Sequence, residues 1–435
     1  MTDKQYKTAD WIAGTNIYEV NIRQYTPEGT FNAFANELQR LRDMGVETLW
    51  LMPVTPISQK KRKGTMGSPY ACSDYTTVNP ELGSLEDLVN LVSTAHQLGF
   101  KLIIDWVANH TGWDHKWTVS NPAYYRKDSA TGDFKMASGM DDIIELDYTN
   151  PALRQAMIEA MSYWVRVCDI DGFRCDLAFW VELDFWKEAR ALVENEKQLF
   201  WLGEFDPLDN PEYYSVFDAA YTWTWMHRTA AFYKDKGPLE QLLPVLQQYN
   251  DCSTSVNYPV WFTSNHDENS WNGTEYEKYG EMALALSVFC FTWEGVPMIY
   301  SGQELPNLKR LEFFEKDAIN WRDNLKLHKF YKTLAGLRKE NPALQAGQLD
   351  NTIILPNPLA NKNCFAYFRT TGYDKVLVLQ NWTNERTAFC LSGTDHTGSY
   401  IEVFENETVL LEPDQVINMD PWSFIVFVNK KTTAA

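Results

Sequence analysis

Two rhythms of apolar and polar positions alternate along this chain. Short, nearly continuous apolar runs recur through its first three quarters: IYEVNI (17–22), TLWLMPV (48–54), KLIIDWV (101–107), DGFRCD (171–176), FWLGE (200–204), VFDAAYT (216–222), VWFTSNHD (260–267) and VPMIYSG (296–302). Runs of this length and composition read as strands. Between them lie helical patterns such as FNAFANELQRLRDMG and LEDLVNLVSTAHQLG, each closing on a glycine suited to a helix terminus. Spacing then organises the strands, because a barrel of eight strand–helix units uses about 30 residues per unit. Asp176 precedes Glu204 by 28 residues, one unit, and Glu204 precedes Asp267 by 63, two units. The run ending at Glu304 adds one more. Asp105 to Asp176 is 71 residues, which leaves about 40 for an insertion.

The pattern therefore predicts a (β/α)₈ barrel with a short inserted domain after strand 3. A doubly wound open sheet has the same periodicity, but no GxGxxG follows any of the strands. Beyond Pro342 the rhythm changes to short strands divided by turns, NTIILP, CFAYFRT, KVLVLQNW, TVLLEP and WSFIVFVN, which read as a separate antiparallel β-sandwich. The domain reading is a catalytic barrel over 1–345, interrupted by the insert at 109–148, and a sandwich over 346–435 packed directly against the barrel.

Charge and cysteines narrow the partners. A formal net charge of −19 opposes nucleic acid and anionic membranes, and the basic QKKRKG at 59–64 reads as a solvated loop at the barrel rim. No apolar stretch approaches the ~20 residues that span a bilayer. Seven cysteines without paired short spacing read as reduced buried thiols. MTDKQYKTADW does not read as a secretory signal, so cytoplasm is the default; a secreted or periplasmic protein with its signal removed would look the same. No oligomeric state is implied.

Candidate chemistry sits at the strand ends. Asp176, Glu204 and Asp267 each close an apolar run, which places them at the rim of the sheet, where barrel enzymes act. Side chains alternate along a strand, so Arg174 and Asp176 point into the barrel together while Phe173 and Cys175 point outward. An arginine beside Asp176 favours its ionised form and suits a nucleophile. Aromatic residues make up 14% of the chain, with seventeen tryptophans. Sugar rings present C–H faces that stack on such rings, which makes Trp113, Trp117, Trp180, Trp223 and Trp225 candidates for a carbohydrate cleft as well as for the core.

Taken in order, DWVANH (105–110), GFRCD (172–176), WLGEF (201–205) and SNHDE (264–268) resemble the four conserved regions of the alpha-amylase superfamily of glycoside hydrolases. GVETLWLMPV, IIELD and GVPMIYSGQE extend the resemblance from about Trp11 to the end of the chain. It implies that Asp176 is the nucleophile, Glu204 the general acid–base and Asp267 a transition-state stabiliser. The two-carboxylate retaining mechanism places nucleophile and acid about 5–5.5 Å apart. His110 and His266 would grip sugar hydroxyls, Tyr70 would stack on the sugar, and Asp105 would hold Arg174. Glu204 needs an apolar or negative setting to keep its proton, and Trp201, Leu202 and Phe205 are the neighbours that would supply it.

Departures from the family pattern shape the rest. Phe179 and Trp180 stand where a basic residue and a histidine are usual, altering a contact past the cleavage point. For a structural calcium the resemblance offers Asn109 and Glu145, far short of the six to eight oxygens that the ion takes, so forms with and without calcium both remain open. The acidic calcium loop of many relatives after strand 1 is missing from TPEGTFN. A short insert weighs against the alpha-1,6-glucosidase and sucrose-isomerising branches, and an early strand 1 against the extra N-terminal domain of cyclomaltodextrinases and neopullulanases. The resulting expectation is a hydrolase of internal alpha-1,4 bonds in starch, glycogen or maltooligosaccharides. A transglycosylase or a cyclomaltodextrinase-like or maltogenic-type hydrolase would use the same acids. A catalytically inactive carbohydrate-binding relative would be expected to have lost some of them.

Overall fold

Residues 6–321, 325–357, 359 and 363–430 are described by the computed structural model; the outermost residues of the expected domain limits, 1–5 and 431–435, lie outside them. Each of the eight apolar runs overlaps one parallel strand: β1 (Ile17–Val20), β2 (Thr48–Leu51), β3 (Lys101–Trp106), β4 (Gly172–Cys175), β5 (Phe200–Gly203), β6 (Ala219–Tyr221), β7 (Tyr258–Trp261) and β8 (Val296–Tyr300). They close in chain order, with β1 paired to both β2 and β8. Alternation divides their side chains. Ile17, Trp50, Ile103, Phe200, Leu202, Val260 and Met298 fill the barrel, while Tyr18, Leu49, Leu102, Phe173, Cys175 and Trp201 pack outward with the helices.

The helical patterns fold with one difference from expectation. LEDLVNLVSTAHQLG forms a single helix, Leu85–Gln97, started by a capping box of Ser84 and Asp87. FNAFANELQRLRDMG forms two, Phe31–Ala35 and Leu38–Met44. At the break the Asn36 amide donates to the Asn32 carbonyl, a side-chain bond that competes with the helical ladder. Gly45 ends the second helix at φ +90, and a Cβ there would stand 2.7 Å from Ala335 Cβ. No other residue type fits that terminus.

Between β3 and the helix Pro151–Cys168, the chain leaves the barrel as a small antiparallel sheet. Its central strand, Met140–Glu145, pairs with His110–Gly112 and Met136–Ala137. After the last barrel helix, His328–Glu340, come β9 (Thr352–Leu355), β10 (Cys364–Thr371), β11 (Asp374–Asn381), β12 (Thr387–Leu391), β13 (Gly398–Glu402), β14 (Glu407–Leu411), β15 (Gln415–Met419) and β16 (Phe424–Asn429). Six form one antiparallel sheet in the order β9-β10-β11-β16-β13-β14, and β12 pairs with β15. Ala366, Phe368, Leu377 and Leu379 of the large sheet meet Phe389, Leu391 and Met419 of the small one, which makes the sandwich core.

The opposite face of the large sheet, with Phe365, Tyr367, Val376 and Val426, joins the core of the barrel's helical layer. The helix Met282–Thr292 is buried along nearly its whole length, which explains its apolar surface on every side. Gln380 Nε2 donates to the Ala285 carbonyl at 3.1 Å, and Arg369 pairs with buried Glu294 at 2.5 Å across the same junction. All seven cysteines are free; Cys252 and Cys390 are half-buried and the other five buried, so the expectation of buried thiols holds for five of seven. Among the described residues no helix is long and apolar enough to cross a membrane.

Candidate active site

Arg174 is the centre around which the strand ends are arranged. Its side chain is wholly buried on β4 and faces into the barrel mouth. Nη1 donates to Asp105 at 3.0 and 3.1 Å and to Asp176 Oδ1 at 3.0 Å. Nη2 lies 2.7 Å from Glu204 Oε2, off the direction of an N–H bond, an ion pair more than a hydrogen bond. The guanidinium also lies 4.9 Å from the Trp50 ring centroid. Four acidic and basic residues from β3, β4 and β5 thus form one connected group.

Burial pushes the Asp176 carboxyl well above the usual carboxylate range; Arg174 pulls it down, while Glu204, Asp105 and Asp267 push it further up. Arg174 favours the ionised form of Asp176, as expected, while burial and the three neighbouring acids press the other way. Burial likewise raises Asp105 to about 6 against the pull of Arg174 and His266. Glu204 is held by the Leu177 N–H at 2.9 Å as well as by Arg174. Leu177 adopts φ +40, a strained backbone for a branched side chain, at the point where that N–H turns toward Glu204. Of the apolar neighbours expected around Glu204, only Leu202 points into the barrel, and Trp201 and Phe205 pack behind the strand against Phe217. Alternation along β5 sends them there, so the setting of Glu204 is charged and polar, not apolar.

On the other side of the mouth, His266 and Asp267 follow β7. His266 Nδ1 is bonded to Glu19 of β1 at 2.5 Å, and Nε2 to the Tyr70 hydroxyl at 2.8 Å. The Tyr70 hydroxyl in turn donates to Asp105 Oδ2 at 3.0 Å, and the Tyr70 ring stacks on His266 with centroids 5.3 Å apart. Burial disfavours a charge on His266, but Asp267 and Glu19 outweigh it and raise the imidazole well above its ordinary range, while burial raises the Glu19 carboxyl against the pull of His266. Burial raises Asp267, and the His266 charge and hydrogen bond overcome it, holding that carboxyl below its ordinary value. His110 is buried with Nε2 lacking a protein partner, and burial lowers it to about 4. It is a neutral group at the cavity wall.

Tyr70, His110, Asp176, Glu204 and Asp267 line one cavity of about 410 Å³. Arg174, Asp105 and His266 support it from behind. Glu304, the acid closing the eighth run, turns away to Arg40 at 3.0 Å and to the Tyr18 hydroxyl. The cavity's aromatic residues besides Tyr70 are Trp271, Phe313 and Phe314, none of them read from sequence. Trp271 is half exposed and packs on Phe313, which stacks over Tyr70 at 6.2 Å. The five tryptophans read from sequence lie elsewhere: Trp117 and Trp225 are core residues, Trp113 lies on the insert, Trp180 faces a second pocket, and Trp223 stacks on Tyr221. Glu19 was also missed, although a lone acid in a buried strand is itself a signal.

That second pocket brings Asn109 and Glu145 together with Arg126, Lys135, Trp180 and Glu182. Glu145 Oε2 is 2.8 Å from Lys135 Nζ, and Arg126 pairs with Glu182 at 3.0 Å. The donor set does not fit calcium. Its one expected carboxylate is already neutralised, two cationic side chains share the space, and the ion takes six to eight oxygens. Among the described residues no group of three or more His, Cys, Asp or Glu could hold a metal.

The catalytic-domain profile of the alpha-amylase family matches residues 8–139 and 120–321 of the chain. Alpha-amylase MalA of Haloarcula japonica is 26% identical over 424 residues, which cover 91% of this chain and 59% of the relative. A cyclomaltodextrinase of Thermoanaerobacter pseudethanolicus is 24% identical, covering 83% of this chain and 65% of the relative. The chain thus spans about three fifths of the length of these curated relatives. The crystal structure of a noncanonic maltogenic alpha-amylase, AmyB, from Thermotoga neapolitana superposes with a TM-score of 0.87 at 27% identity, over 97% of this chain and 100% of that one.

Proposed function

Because the chain belongs to the alpha-amylase family of glycoside hydrolases, we propose that it hydrolyses alpha-1,4-glucosidic bonds of starch, glycogen or maltooligosaccharides with retention at the anomeric carbon. The observation that carries this reading is the shared guanidinium: Asp176 Oδ1 and Glu204 Oε2 rest on the two terminal nitrogens of Arg174. A double displacement needs the two carboxyl groups close together, whereas an inverting site leaves room for a water between them, and two acids sharing one guanidinium support the former.

In the first step a carboxylate oxygen of Asp176 attacks the anomeric carbon. The bond to the leaving oxygen breaks as Glu204 gives that oxygen its proton. Positive charge develops on the ring, and Asp176 and Asp267 face it. The same charge offsets the crowding of acids that holds Asp176 above its ordinary range in the free site. In the second step Glu204 takes a proton from water as the water attacks the anomeric carbon and the ester to Asp176 breaks. Both net charge and configuration are restored.

His266, bonded to Glu19, holds the Asp267 carboxyl below its ordinary value and fixes Tyr70 through its second nitrogen. His110 offers its unpartnered Nε2 to a sugar hydroxyl. A maltogenic or cyclomaltodextrinase-type hydrolase, or a transglycosylase that admits a sugar in place of water, would use the same residues and differ in the shape of the cleft.

The reading is tested by chromatography of products from soluble starch, maltoheptaose and a cyclodextrin, with wild type and Glu204→Gln. Short maltooligosaccharides formed by wild type and lost in the variant support it. Products longer than the donor move the assignment to a transferase, and no turnover of any substrate overturns it.

A further inference from the structure

β1 points one side chain into the barrel that apolar packing does not explain. Ile17 and Glu19 face inward while Tyr18 and Val20 join the helical layer, so alternation sets a carboxylic acid in register with Trp50 of β2 and Tyr300 of β8. Glu19 is fully buried. Its Oε1 is bonded to His266 Nδ1 at 2.5 Å and accepts from the His266 backbone N–H at 3.4 Å, while Oε2 finds no hydrogen-bond partner among the described residues. A buried acid with an unpaired oxygen weakens a fold, and an apolar side chain of similar size would cost less there. Stability alone therefore does not account for Glu19.

Donors and acceptors fix the protons beyond it. The Tyr70 hydroxyl gives its one proton to Asp105 Oδ2, so its oxygen accepts from His266 Nε2, and that nitrogen must carry a proton. Asp267 Oδ2 stands 3.3 Å from the same Nε2. Glu19 meets the ring's other nitrogen. Asp267 and Glu19 raise the imidazole and burial raises Glu19, so a proton is retained in the Nδ1–Oε1 bond. Tyr70 and Asp267 line the cavity; Glu19 lies behind it, reaching past β8 from β1 to the segment after β7.

Resting on the retaining glycosidase reading, we propose that Glu19 is a positioning residue of the reaction. Through its bond to Nδ1 it anchors the His266 ring and retains the ring's second proton, so that Nε2–H holds Asp267 and Tyr70 toward the sugar. The ring is otherwise held by stacking on Tyr70 at 5.3 Å and by an edge contact with Trp50 at 6.0 Å, neither of which governs its protonation. Around it stand Tyr70 from the loop after β2, Asp105 of β3 and Asp267; around Glu19 stand Arg174 of β4, Tyr221 of β6 and Tyr300 of β8. None of these is bonded to Nδ1. Once Glu19 loses its charge, the imidazole falls toward its ordinary value, and the ring is neutral at pH values where wild type retains the proton.

The test is Glu19→Gln, which keeps the size of the side chain but not its charge, assayed on maltoheptaose across pH. Near neutral pH, kcat/KM is expected to fall at least about tenfold, the scale of a lost charge-assisted hydrogen bond, with the melting temperature no lower than that of wild type. The wild-type-to-variant ratio, which cancels the limb that Asp176 gives both enzymes, should narrow as pH falls into the histidine range, about 6.5, where the variant's ring regains its proton. A ratio near one at every pH overturns the proposal. So does a loss that is the same at every pH, as a packing defect would give. In a His266→Asn background, assayed with an alpha-maltosyl fluoride, Glu19→Gln should cost nothing further, and an additive loss overturns the route through His266. Should Glu19→Gln fail to fold, NMR of histidine-labelled wild type at about pH 8 decides. A far-downfield proton coupled to the Nδ1 of His266, missing in His266→Asn, is expected, and its absence overturns the proposal. No turnover of any alpha-glucan by wild type would overturn the glycosidase reading itself, a result distinct from every outcome for the variants.

Discussion

Arg174 and Lys135 each answer acids gathered at one end of the barrel, and they make opposite use of the same pairing. Arg174 is wholly buried, and one guanidinium faces Asp105, Asp176 and Glu204, so negative charge is in excess. Burial raises Asp105 to about 6, and burial together with the neighbouring acids pushes Asp176 well above its ordinary range. Lys135 answers Glu145 one to one, with 47% of its own side chain and 18% of its partner's still exposed. Nothing there is left unbalanced, and the pair fastens the insert's central strand. Burial and an uneven count of charges separate a reactive group of acids from a structural one.

The comparison can be broken most sharply at the reactive group. Glu204→Gln should lower kcat on starch by ~10²–10⁴-fold with the fold intact by circular dichroism, the range for loss of a general acid; near-wild-type turnover would remove Glu204 from the chemistry. Arg174→Ala leaves buried carboxylates without their cation and should cost about 3–5 kcal/mol in denaturant unfolding. A loss near that of a surface pair would mean that the network has another anchor. Asp176 must be ionised to attack, so kcat/KM should fall as pH drops through its raised pKa, on the high side of an ordinary carboxylate. Glu204 contributes to that rise, so Glu204→Gln, assayed on an aryl glycoside whose leaving group needs no acid, should shift this limb to lower pH; an unmoved limb would uncouple the two acids. The smallest effects belong to the exposed pair. Lys135→Met should cost only ~0–1 kcal/mol, and a chelator should leave the wild-type melting temperature unchanged. A drop of several degrees in chelator would restore a metal to this site.

Strands and catalytic acids were legible because they follow simple rules of position. A buried strand shows as an apolar run whatever its neighbours are, and an acid ending such a run lands at the barrel mouth, as Asp176, Glu204 and Asp267 do. Residues contributed by loops follow no period. Trp271 reaches the cavity from a single π-helical turn and Phe313 and Phe314 from the loop after β8, and Lys63 acquires its partner only when separate loops meet. Three sandwich strands, β12, β13 and β15, were missed. Each buries only one or two side chains, but so does β14, which was read from its apolar run, so burial alone does not separate the missed strands from the found ones. Tryptophan content pointed to a carbohydrate cleft but not to the residues lining it, since Trp117 and Trp225 serve the core.

The central claim is that Asp176 becomes covalently bonded to the sugar. Incubation with a 5-fluoro alpha-glycosyl fluoride, followed by denaturation, pepsin digestion and tandem mass spectrometry, reads it directly. The account predicts a glycosyl adduct on the peptide spanning Gly172 to Leu177, with the added mass on Asp176. An adduct on Glu204 or Asp267, or no adduct together with an inverted first product by NMR, would contradict it.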